Sequence, residues 1–135
     1  MPQSSCLRSL VPLIAALGLW LTLGGPAAAL QLRLVNADPE GCNARATGPI
    51  EPGDSARIAR LLPGGSEGAQ YFDAAPRLCF NSAGGDFIEA VEIAEYLRHT
   101  GISSHVAEGE SCLGPCALAF LGGTRASFEG GVVRA

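Results

Sequence analysis

Arg77-Leu78-Cys79-Phe80-Asn81 runs into Ser82-Ala83-Gly84-Gly85, and Asp86 then opens a stretch that closes at Gly101. The first five residues read as a short strand and the next four as a tight turn. Asp86 is a good N-cap, and Glu89, three residues on, completes a capping box. Phe87, Ala90, Val91, Ala94 and Leu97 recur at helical spacing, while Glu92, Glu95 and Arg98 take the opposite face. Gly101 ends the helix, and Ile102 to Val106 reads as the next strand. Strand, helix and strand in this order form one βαβ unit.

The pattern extends both ways. Leu30 to Val35 alternates apolar and polar residues, the period of a half-buried strand. Cys42 to Ile50 reads as a second strand after a loop that contains Pro39 and Gly41. Pro52-Gly53 turns the chain, and Asp54 is placed to cap a helix over Ser55 to Leu62, with Ile58, Leu61 and Leu62 on one face. Pro63-Gly64-Gly65 stops that helix, and Ser66 to Ala75 reads as a loop. On the other side, Ala107 to Ser111 is a loop, and a short helix over Gly114 to Leu121 closes at Gly122-Gly123. The alternation predicts an α/β fold with a parallel sheet. Ligands in such sheets sit beyond the carboxyl ends of strands, and two loops have that position: Asn81 to Asp86 and Ser111 to Cys116.

All nine basic residues are Arg, set against 13 acidic ones for a net charge of −4 over 135 residues. They are scattered singly, which argues against a nucleic-acid grip or a polybasic membrane patch. The apolar content, 47%, is too high for a disordered chain despite 18 Gly and 9 Pro.

Residues 1–29 read as a signal peptide. Leu10 to Leu23 is apolar but shorter than the roughly 20 residues a membrane span needs. Gly24-Gly25-Pro26 breaks the run, and Ala27-Ala28-Ala29 offers a cleavage site between Ala29 and Leu30. An uncleaved N-terminal anchor is the competing reading. The expectation is therefore a single domain over 30–135, periplasmic or secreted, with no membrane attachment once the signal is removed.

Cys42, Cys79, Cys112 and Cys116 remain, an even number that predicts disulfides, with three connectivities open. Cys112 and Cys116 have no second close pair to complete a zinc site. No metal or cofactor is expected.

Asn81-Ser82-Ala83-Gly84-Gly85 resembles the Asn-Ser-Pro-Gly-Gly loop of the Clp protease proteolytic subunit and its relatives in the Clp/crotonase superfamily. Thr47-Gly48-Pro49-Ile50 is similar to the strand end that those proteins place beside the loop. The stretch from Cys112 to Gly123 resembles exported bacterial relatives that read Cys-x-Ser-Ala-Cys-Ala-Leu-Ala-Phe there. The likeness runs from about Cys42 to Gly123.

The resemblance implies an oxyanion-type loop at Gly84 and Gly85, a nucleophile at position 114 and a second oxyanion donor at 115. Gly114 has no side chain to attack anything, and Pro115 has no N–H to donate. The family's His and acid lie beyond Ala135, so the resemblance implies a domain incomplete at its C-terminus. His99 and His105 read as structural rather than catalytic. A Cys112–Cys116 bridge across the helix entry is the pairing expected first, since relatives need that loop rigid.

The leading expectation is a Clp/crotonase-like domain without peptidase activity, open to a peptide or acyl ligand or to homo-oligomer formation. The alternative is a serine-peptidase-like hydrolase completed by another subunit or by a longer reading frame. A purely structural, disulfide-stabilised domain is the third class.

Overall fold

A computed structural model describes residues 29–36, 38–65, 72 and 74–135. Residues 1–28, within the stretch read from the sequence as a signal peptide, and most of 66–75, read as a loop, lie outside the described residues.

In chain order the elements are β1 (Gln31–Leu34), β2 (Ala44–Thr47), α1 (Asp54–Leu61), β3 (Arg77–Asn81) and α2 (Phe87–Thr100). They continue with β4 (Ser103–His105), β5 (Ser111–Leu113), α3 (Pro115–Leu121), β6 (Ala126–Ser127) and β7 (Val132–Arg134). Five strands form one sheet in the order β1-β2-β3-β4-β6, and β5 pairs with β7 in a second. Every pairing is parallel except β1 with β2. The class is mixed α/β with a mostly parallel sheet, as the alternation predicted. The antiparallel edge strand β1 and the small β5–β7 sheet go beyond it.

Pairing and side-chain alternation together split the main sheet into two faces. Ala44, Leu78 and Ser104 occupy matching positions on β2, β3 and β4, and the Ser104 hydroxyl donates to the Phe120 carbonyl of α3 at 2.6 Å. On this side Leu30, Ala46, Leu78 and Phe80 pack with Ile58, Ile93, Leu97 and Phe120 in one core. The next register row, Arg45, Cys79, His105 and Ser127, faces the other way.

Three local expectations are corrected. Asp54 is not the cap of α1 but its first residue; Gly53 holds the cap position at φ 95°. Asp86 does cap α2, accepting from the Glu89 N–H at 2.7 Å, yet Glu89 does not close the capping box. Its carboxylate crosses to α1 instead, accepting from the N–H groups of Gly53 at 2.9 Å and Ser55 at 2.6 Å. One helix thus supplies the cap that the other lacks. Phe87, read as core, is 60% exposed, and Ile93 fills the stripe in its place.

Candidate functional site

Ser82 continues β3 by one bridge to Cys112 of β5. The Ser82 N–H donates to Ser111 O at 2.8 Å, and the Leu113 N–H donates to Ser82 O at 3.0 Å. This bridge brings together the ends of the two loops that the sequence singled out. On the other flank, the Ile50 N–H donates to Gly84 O and the Asp86 N–H to Ile50 O, both at 2.8 Å. The strand end Thr47–Ile50 therefore lies beside the glycine turn.

Gly85 is required there. Its φ is 138°, and a Cβ would fall on the backbone of Ile50. Gly84 is buried against the second loop, with an added Cβ reaching Pro115 Cδ at 3.1 Å. The Gly84 N–H is spent on the Ser82 hydroxyl at 3.2 Å, whereas the Gly85 N–H meets no acceptor among the described residues. Ser82 itself is buried and donates to Gly84 O, so it is held as a turn residue and is not free to attack.

Gly114 forms the elbow between β5 and α3 at φ 54°, ψ −126°. Such strand-to-helix elbows hold a nucleophile in strained backbone where one is present; here glycine relaxes the strain. Its N–H is taken by Arg134 O at 2.7 Å. Pro115 follows as the first helical residue, where the missing N–H breaks no intrahelical bond.

Two disulfides brace this arrangement. Cys112–Cys116 spans the elbow, with Cα atoms 5.1 Å apart, and Cys42–Cys79 ties the β1–β2 connection to β3 across 5.8 Å. All four cysteines are buried. An apolar cleft of about 400 Å³ opens beside the elbow, lined among others by Phe87, Gly114, Pro115, Leu118 and Leu121.

Compared with family models, curated proteins and solved structures, the chain matches none.

A second polar cluster lies on the sheet face turned away from α3. Arg45 pairs with Asp38 at 3.0 Å and with Glu110 at 2.8 Å. The Arg45 hydrogen bond holds the Asp38 carboxyl below its ordinary range against the opposing effect of burial. His105, 5% exposed, sits between Ser127 Oγ at 2.8 Å and Glu40 Oε2 at 3.2 Å. His99 is exposed at the end of α2, its Nδ1 2.8 Å from Glu95 O. Nothing in the sequence pattern signals the His105 cluster, because its members stand 22 and 65 positions apart.

Among the described residues no three His, Cys, Asp or Glu side chains group as a metal site, and no helix is long and apolar enough to cross a membrane.

Proposed function

We propose that this chain is an exported Clp/crotonase-like domain, periplasmic or secreted, that binds a peptide or acyl group beside its elbow without cleaving it there. The apolar cleft carries this reading. Phe87, Leu118 and Leu121 offer an apolar wall, and the unpaired Gly85 N–H belongs to the turn that abuts Pro115. A few polar groups at the edge of an apolar cleft are what small-ligand sites have in common. Gly114 supplies no hydroxyl and Pro115 no N–H, so peptidase chemistry lacks both elements at this elbow. The two disulfides fit an oxidising compartment.

Titration of the oxidised chain with octanoyl-glycinamide by calorimetry tests this. Binding with a dissociation constant below about 1 mM, weakened roughly tenfold by Phe87→Ser with Leu121→Ser, is expected. Absence of heat at the solubility limit would refute the reading.

Self-association is the second reading, favoured by Phe87, Ile88 and Leu121, each at least 60% exposed. A concentration-dependent rise in sedimentation coefficient, abolished by the same double variant, would support it.

A further inference from the structure

We infer that Ser127, His105 and Glu40 form a nucleophilic serine site on the sheet face turned away from α3, able to take an acyl group from a small activated ester. A carboxylate only accepts hydrogen bonds, so the 3.2 Å contact with Glu40 Oε2 places the proton of a neutral His105 on Nε2. Nδ1 is then the acceptor, and the Ser127 hydroxyl 2.8 Å away is its donor. Nucleophile, base and orienting acid stand in the sequence of contacts that activates a serine, whatever their order in the chain.

The arrangement is preorganised. His105 and Ser127 are register partners on β4 and β6, which fixes their side chains on one face. Glu40 is brought over the sheet by three anchors on its own loop. The Cys42–Cys79 disulfide ties the loop to β3. Arg77 donates to Glu40 O at 2.9 Å, and Arg45 binds Asp38. Ser127 remains half-buried and open to solvent. The ring of Phe128, next in the chain, turns to the opposite face against Phe120, while its N–H meets no acceptor among the described residues.

In the first step the Ser127 Oγ attacks the ester carbonyl while its proton passes to His105 Nδ1. The C–O bond to the leaving alcohol breaks, and that alcohol takes the proton from His105. Water then attacks the acyl-serine, with His105 accepting its proton and returning it to Ser127 as the carboxylic acid leaves. With a fluorophosphonate the same Oγ forms a P–O bond, and fluoride leaves with the proton.

The test uses the full chain with both disulfides intact, treated with a fluorophosphonate probe and mapped by peptide mass spectrometry. The adduct is expected on Ser127 and lost in Ser127→Ala. His105→Ala should slow labelling by roughly 10²- to 10⁴-fold, with partial recovery in added imidazole. Glu40 is a positioning residue, and Glu40→Gln should slow labelling roughly 10- to 100-fold while Glu40→Asp recovers part of the rate. Should His105→Ala fail to fold, the half-exposed Glu40 pair still decides the matter. No adduct on Ser127, an adduct on Ser82 or Ser111 instead, or a rate indifferent to the Glu40 variants would each overturn the proposal. Octanoyl-glycinamide binding should be unchanged in Ser127→Ala, so this site and the cleft fail or stand separately.

Discussion

The elbow beside Gly84 and Gly85 and the polar face around His105 are built by opposite means. The first is made of backbone: a turn with positive φ at both Gly84 and Gly85 and an elbow with positive φ at Gly114, whose N–H and C=O groups lock to neighbouring strand ends. The second is made of side chains that meet because β2, β3, β4 and β6 lie side by side in register and loops carry Asp38, Glu40 and Glu110 onto that face. A site of the first kind tolerates little change in its glycines and much in its surroundings. A site of the second kind depends on the loop that covers it, which is why a disulfide fastens that loop.

The largest effect should come from the fastening. Replacing Cys42 and Cys79 by Ala should cost about 4 kcal/mol, against about 2 kcal/mol for Cys112 and Cys116, because chain entropy released on unfolding grows with the closed loop, 37 residues against 4. Urea unfolding of the two double variants measures both, and equal losses would break the contrast between a long tether and a local staple.

Within the elbow, glycine against glycine sharpens the comparison. Gly85→Ala should cost on the order of 3 kcal/mol, since its Cβ meets the Ile50 backbone at a φ of 138°. Gly114→Ala meets nothing within 4 Å and bears only the backbone cost of φ 54°, ψ −126°, about 1–2 kcal/mol. Matching unfolding midpoints for the two variants would show that close approach to Ile50 matters less than backbone strain.

The smallest effect concerns Glu89, which links α2 to α1. Burial pushes its carboxyl up, but the N–H groups of Ser55 and Gly53 outweigh burial and hold it below the ordinary value of 4.5. The carboxylate therefore stabilises the fold fully above about pH 4.5, and this contribution fades as the pH falls through the lowered folded value. Glu89→Gln should cost about 1–2 kcal/mol at pH 7 and progressively less below pH 4.5. A stability difference that stays constant from pH 7 to pH 3 would contradict that role.

Sequence alone determined the elements that rest on local chemistry. Arg77–Asn81 is a strand with the expected bounds, Asp86 caps the helix behind it, and Gly101 ends that helix at φ 78°. Those signals work because cap, turn and periodicity are set by residues within a few positions of one another. The glycine turn was legible for the same reason, whereas the residues left the three cysteine pairings open and only the family resemblance put Cys112–Cys116 first. Only the tertiary structure decided that Glu89 serves the neighbouring helix, that Phe87 stays exposed, and that Leu30 is completely buried. It alone brought Glu40 and Ser127 to His105. A carboxylate or hydroxyl leaves no periodic trace of a partner 65 or 22 residues away; the register of parallel strands, set by core burial on the opposite face, chooses Ser127, and the fastened loop before β2 brings Glu40.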